Sequence, residues 1–312
     1  MLQTDVAIIG AGPSGIQASI HVSRKKITAT VIGKPASSAI QGAKIENYFG
    51  FFGEIKGSEI LNESIRQAKS FGVNFINSNV VSSVNEQHTF KFITEDDNVI
   101  RSKAVIIAAG ISRKELGVPG EKKLFGKGVS YCASCDCNFY KGKTVAVIGN
   151  DTESAMSAEL MTHYAHKVYW IFSNIKASQS VVNKAINSGA VAINGKIKSI
   201  NGDEKVNSIS ISNGNKVAVD GVFIELGAKS AADIAMDIGV MPNIDDTITV
   251  DHNCFTGIRG VFACGDITGK PWQVAKAVGQ GAVAGIAASD FIKSISDNNT
   301  SNPQTTCKNS PH

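Results

Sequence analysis

The run Cys132-Ala-Ser-Cys135-Asp136 places two thiols two residues apart, with a carboxylate directly after the second. That spacing lets the sulfurs close a small disulfide, and a thiolate in such a pair can have a lowered pKa. Asp136 adds a proton-transfer group where a sulfur leaves as a thiol. The competing reading is half a zinc site, which needs further Cys or His ligands at compatible spacing. Cys137 extends the run to CxxCxC, but the nearest histidines, His163 and His166, fall in an expected helix, so no metal is expected. Cys137 reads as a small buried residue, and Cys254, Cys264 and Cys307 as isolated thiols.

A second group of residues points to a phosphate-bearing ligand. Gly10, Gly12 and Gly15, with Pro13 and Ser14 between them, spell GxGxxG after the apolar run DVAII and before a helix-like segment. The first glycine permits a tight turn, the second lets backbone approach a pyrophosphate, and the third packs helix on strand. The helix N-terminus then supplies unpaired N–H groups and partial positive charge. The next strand ends in Gly33 and Lys34, where a ribose-binding acid normally stands. The adenosine end of a dinucleotide is therefore expected to lie against backbone and neutral groups.

The elements that must position these groups follow from the apolar pattern. Residues 5–33 read as β-turn-helix-β. The plan returns about 140 residues later, with KTVAVIG (143–149), a helical DTESAMSAELMTHYA, and KVYWIF (167–172). AVIIAAG (104–110) and DGVFIELG (220–227) add one buried strand to each unit, and GVFACGDITG (260–269) leads into a long small-residue helix. The expected fold class is α/β, with two Rossmann-like, doubly wound domains, the second inserted into a discontinuous first. The first spans 1–115 and 245–297, the inserted one 116–244, and 298–312 form a polar tail. A length of 312 residues suits about two domains. With 43% hydrophobic and 19% charged residues, the chain can fill both cores. The net charge of +4 is far from that of a nucleic-acid binder. No apolar run reaches the roughly 18–20 residues of a membrane span, and the start lacks a basic region with a cleavage site. No nucleic acid and no membrane are expected as partners, and a cytoplasmic location is.

A dinucleotide fold with CxxCD between its halves resembles the low-molecular-weight thioredoxin reductases, over nearly the whole chain from Asp5 to about Ile295. The more specific pieces are GAGPSG, KIENYFGF (44–51), GVSYCASCD (128–136), GVFACGDI (260–267) and WQVAKAVGQG (272–281). The resemblance implies FAD in the discontinuous domain, a homodimer, and thioredoxin as the substrate. It implies that Cys132 attacks the thioredoxin disulfide, that Cys135 faces the flavin, and that Asp136 is the acid. For the cofactor it implies the glycine loop together with Gly33, Lys34, Asn47, Val80, Ala109, Gly110, Gly265, Asp266, Trp272, Gln273 and Val274, with Asp266 on the ribityl chain.

The family's second nucleotide loop, GxGxxA followed by HRRxxxR, binds NADPH. Here the loop reads Gly149-Asn150-Asp151-Thr152-Glu153-Ser154, and the later stretch is Phe172-Ser173-Asn174-Ile175-Lys176-Ala177-Ser178. Asp151 obstructs and repels a pyrophosphate and can cap its own helix instead. The paired arginines that would fork a 2′-phosphate are absent. The sequence is similar to the nicotinamide-independent branch of the family, which implies ferredoxin as electron donor. Methanogen members that use a deazaflavin share the Asp pattern, and an NAD(P)H-dependent reductase or a dithiol oxidase using oxygen are the alternative readings. A non-enzymatic flavin redox sensor is a weaker one. Arg101, Lys103, Arg113, Lys114, Lys122, Lys123 and Lys127 outnumber Glu115 and Glu121 around the cysteines, an expected basic surface for an acidic ferredoxin.

Overall fold

A computed structural model describes residues 1–87, 89–111, 115–131, 133–227 and 229–300; for residues 135 and 298–300 it describes the backbone alone. Cys132, Arg113, Lys114 and Cys307, all singled out above, lie outside the described residues. The chain divides into two compact units, Met1–Ile111 with Ile234–His312, and Ser112–Asp233. The second crossing falls nearer the N-terminus than the expected residue 245.

The chain opens with β1 (Leu2–Ile9), α1 (Pro13–Arg24) and β2 (Ala29–Ile32), followed by a small ribbon of β3 (Lys44–Ile45) and β4 (Ile55–Lys56). After α2 (Gly57–Ser70) and β5 (Asn74–Ile76) come β6 (Val80–Asn85), β7 (Phe90–Thr94) and β8 (Val99–Ile107). The strands order as β5-β2-β1-β8-β7-β6. Strand β1 is fully apolar and buried over Val6–Ile9, with parallel neighbours β2 and β8 on its two edges. One edge of β8 is shared: its first half pairs antiparallel with β7, while Val105–Ile107 pair parallel with the late strand Val261–Ala263.

The inserted unit contains β9 (Val129–Ser130), α3 (Ala133–Asp136), β10 (Thr144–Ile148), α4 (Thr152–Thr162), β11 (Lys167–Phe172), α5 (Gln179–Asn187) and β12 (Val191–Asn194). An antiparallel sheet of β13 (Ile197–Gly202), β14 (Val206–Ile211) and β15 (Lys216–Ala218) precedes β16 (Gly221–Ile224). The parallel sheet orders as β12-β11-β10-β16-β9, so β10 is flanked by β11 and β16 as β1 is by β2 and β8. The two units therefore have their topological switches at β1 and at β10, where doubly wound sheets open a crevice. Helix α6 (Ala231–Asp237) carries the chain back to the first unit, which β17 (Val261–Ala263) and α7 (Val274–Thr300) complete.

Helix α7 packs against α1 through small residues. A Cβ on Gly281 would run into the Ser14 carbonyl, and one on Gly285 into that of Ala18. Only glycine allows this approach, which brings the start of α7 beside the first glycine loop. Among the described residues no helix is long and apolar enough to cross a membrane.

Candidate functional site

In the first unit the residues expected to hold a dinucleotide gather at the switch between β1 and β8. Gly10 has φ +118°, and a Cβ there would strike the Ala108 carbonyl, so the loops after β1 and β8 touch through bare backbone. A Cβ on Gly15 would strike the Gly10 carbonyl, and one on Gly33 (φ +153°) would lie 3.0 Å from the Ala11 nitrogen. Gly12 differs: a Cβ there meets only Ser38 Oγ, at 3.6 Å, so its side faces open space. It is also the N-cap of α1, and no side chain caps the helix. Its first amides are therefore left for a ligand.

The turn after β17 joins the same place. Gly265 (φ +84°) lies against the Ser14 side chain and begins a 3₁₀ turn through Thr268 that contains Asp266. Helix α7 holds both ends of this turn. Gln280 Oε1 accepts from Gly265 N at 3.0 Å and from Thr268 Oγ1 at 2.8 Å. Lys276 Nζ donates to Gly265 O at 3.1 Å, to Thr268 Oγ1 at 3.0 Å and to Gly269 O. Burial pushes the Asp266 carboxyl up, with Lys276 partly countering, and burial pulls the Lys276 ammonium down. Asn47 Nδ2 donates to Gln273 Oε1 at 3.0 Å, joining two expected cofactor residues from distant parts of the chain. Gly110 takes φ +69° after Ala109, and Val274 opens α7. Val80 is buried at the start of β6.

One expectation needs correction. The end of β2 is not lined by neutral groups, because Lys34 forms an ion pair with Glu95, whose carboxylate also accepts from Asn79 at 3.2 Å. The Trp272 ring is 55% exposed, with the Lys270 ammonium 5.2 Å from its centroid.

In the second unit the corresponding loop is closed upon itself. A Cβ on Gly149 would strike the Glu225 carbonyl, as Gly10 meets Ala108. Asp151 is the N-cap of α4, its carboxylate accepting from Ser154 N at 3.4 Å, and Ser154 Oγ returns a bond to Asp151 O at 2.8 Å. The Asn150 side-chain oxygen accepts from the Ser173 and Asn174 amides at 2.9 and 3.3 Å, while its carbonyl accepts from Lys176 N at 2.6 Å. The loop is thus tied to the stretch that would carry the arginine fork. Glu153 stands in the first turn of α4, and Glu225 is buried at the end of β16.

Helix α3 carries Cys135 and Asp136, and its first residue, Ala133, donates its N–H to Glu225 Oε1 at 3.0 Å. Cys137 is buried, its thiol 3.5 Å from Ser134 O. Among the described residues there is no group of three or more His, Cys, Asp or Glu side chains able to hold a metal ion.

The expected basic surface is largely neutralised. Arg101 pairs with Glu86 at 3.1 Å, Lys103 with Asp5 at 2.8 Å, Lys122 with Glu115 at 3.0 Å and Lys123 with Asp203 at 3.7 Å. Lys127 is exposed. Glu121 does not belong to that surface at all, being 1% exposed. Sequence reasoning also missed Lys276, Gln280 and Glu225. A lysine in the first turn of a helix, against the dipole, was the one available hint.

A doubly wound unit with an uncapped glycine loop, joined to a second one carrying the dithiol run, defines the class. Residues 4–281 match the family model described as pyridine nucleotide-disulphide oxidoreductase. Thioredoxin reductase of Aquifex aeolicus (strain VF5) is 34% identical over 301 residues, covering 92% of this chain and 93% of that protein. Among solved structures, the atypical thioredoxin reductase TRi from Desulfovibrio vulgaris Hildenborough is 32% identical with a TM-score of 0.83, covering 93% of this chain and 98% of that one. A ferredoxin-flavin thioredoxin reductase from Clostridium acetobutylicum is 29% identical with a TM-score of 0.65, covering 95% and 99%. The chain belongs to the low-molecular-weight thioredoxin reductase family, whose members bind FAD. The open side of Gly12 and the uncapped start of α1 fit that dinucleotide.

Proposed function

We propose that the chain is an FAD-dependent thioredoxin reductase that draws its electrons from reduced ferredoxin and not from a nicotinamide. The observation that carries this reading is the capped, self-bonded loop at α4, where Asp151 takes up a helix amide that a pyrophosphate would need. Asp151 counts equally against NADH, which has the same pyrophosphate. The likeness to a solved ferredoxin-flavin thioredoxin reductase agrees with it. The first unit is assigned to FAD, the second to the redox dithiol, and the working form to a homodimer.

Bound FAD supplies a centre that accepts electrons singly and passes them in pairs to a disulfide. Gly10, Gly12, Pro13, Ser14 and Gly15 bring bare backbone and the α1 amides to its phosphates. Gly33, Lys34, Val80, Ala109 and Gly110 border the site, Gly265 and Asp266 present the ribityl-binding carboxyl, and Asn47, Trp272, Gln273 and Val274 complete it. Cys132, as thiolate, attacks the thioredoxin disulfide, forming a mixed disulfide and releasing one thioredoxin sulfur, which Asp136 protonates. Cys135 then attacks Cys132, re-forming their bridge and freeing reduced thioredoxin.

The test is anaerobic turnover of oxidised thioredoxin with reduced ferredoxin, NADPH or NADH as sole donor. Turnover with ferredoxin alone, abolished by Cys132→Ser, is the expected result. Comparable turnover with either nicotinamide contradicts it.

A further inference from the structure

Helix α7 begins with a cation at the end of the helix where its dipole disfavours one. Lys276 stands in the first turn, two residues after Val274. What holds it there is the turn after β17. Its Nζ donates to Gly265 O at 3.1 Å, to Thr268 Oγ1 at 3.0 Å and to Gly269 O. An ammonium has three N–H donors, and this turn takes all three. None is left for a ligand, and the three acceptors keep the nitrogen protonated. Lys276 therefore serves the turn. Asp266 lies within that grip, and its half-buried carboxyl accepts no hydrogen bond from the described residues. Gly265 abuts the Ser14 side chain, and Gly281 of α7 abuts the Ser14 carbonyl, so turn, helix and glycine loop meet at one place.

We propose that Lys276 is a positioning residue for FAD: it locks the Gly265–Gly269 turn and sets a cation beside Asp266, presenting that carboxylate to hydroxyl groups of the cofactor. This rests on reading Asp266 as the ribityl-binding carboxyl. A carboxylate with open acceptor capacity suits hydroxyl donors, and a protonated one does not match them as well.

The charge of Lys276 matters as well as its bonds. Burial pushes the Asp266 carboxyl up, and the Lys276 ammonium opposes that shift. The groups that act on the ammonium are Asp266 and the Cys254 and Cys264 thiols, with Asp251 acting in turn on Cys254. Burial holds both thiols protonated through the neutral range, so Asp266 is the member of this set that titrates in acid. Binding that needs the carboxylate is present above the pKa of Asp266 in the free protein and is lost as pH falls through it. Removing the Lys276 cation moves that loss to higher pH.

The experiment is FAD retention against pH, read as flavin absorbance after ultrafiltration of diluted holoprotein between about pH 4.5 and 8. Wild type and Lys276→Gln are compared, because Gln keeps two N–H donors for the turn but loses the charge. K276Q is expected to bind FAD about tenfold more weakly at pH 7. It should also lose the cofactor at a pH about one unit above wild type. Weakening by the same factor at every pH would show a merely structural role and overturns the proposal, as do superimposable curves. Lys276→Arg keeps the cation and should keep the wild-type midpoint. A shifted K276R midpoint overturns the proposal even if K276Q does not fold. Asp266→Asn checks the reading beneath it: a D266N protein that retains FAD like wild type at pH 7 would overturn the ribityl assignment instead.

Discussion

Cys254 and Cys264 lie in the core of the first unit, where burial pushes the Cys254 thiol up to about 11 and the Cys264 thiol higher still. Thiolates are the reactive species, so brief iodoacetamide treatment of reduced native protein at pH 7 is expected to leave both unmodified while Cys132 and Cys135 react. Labelling of Cys254 as fast as Cys132 would show that the core opens. Glu225 gives a second expectation, for stability. Its raised folded-state pKa means that the unfolded chain releases this proton first, so stability is lost as pH rises from the ordinary glutamate range toward the folded value. Thermal denaturation should accordingly find E225Q gaining on wild type as pH is raised from acid to neutral, and a pH-independent difference would contradict this. The cysteine run was legible from spacing alone. Glu225 was not, because it ends an apolar strand and its partner Ala133 is 92 residues away in sequence.

At the scale of elements, two helix starts with similar sequences behave differently because of one residue. Gly12 leaves α1 uncapped, whereas Asp151 caps α4. Gly12→Val should fold normally, since only Ser38 Oγ lies within 4 Å of the added Cβ, yet weaken FAD retention by about two orders of magnitude. Gly10→Val strikes the Ala108 carbonyl and should lose the fold instead. Flavin absorbance and circular dichroism together separate the two outcomes. Asp151→Ala removes a cap and is expected to cost about 1 kcal/mol in urea denaturation. It should not confer reduction by NADPH, because the Asn150 ties to Ser173 and Asn174 remain. The β-turn-helix-β units were legible because their strands are continuous apolar runs ending in glycine. The antiparallel β13–β15 sheet was not, because its strands are rich in serine, asparagine and lysine and cover one face only. The Gln280 and Lys276 grip on the Asp266 turn was equally hidden, since it spans a helix and a turn whose proximity only the tertiary fold creates.

At the scale of the molecule, two units of similar strand order have diverged in chemistry. One keeps bare backbone at its switch point, and the other has filled that place with Asp151, Glu153 and Glu225. An anionic dinucleotide would meet amides in the first and carboxyl groups in the second. Electrostatic steering of an acidic donor by the expected basic cluster is weak on this account, because Arg101, Lys103, Lys122 and Lys123 are paired with acids. Raising ionic strength should therefore slow flavin reduction by ferredoxin only modestly. The donor itself is decided most directly by anaerobic stopped-flow absorbance of the bound flavin, mixed separately with reduced ferredoxin, NADPH and NADH. Bleaching by ferredoxin alone, reversed when oxidised thioredoxin is added, is the result this account predicts. Rapid bleaching by NADPH or NADH would contradict it, and would mean that the capped loop at α4 opens to bind a nicotinamide after all.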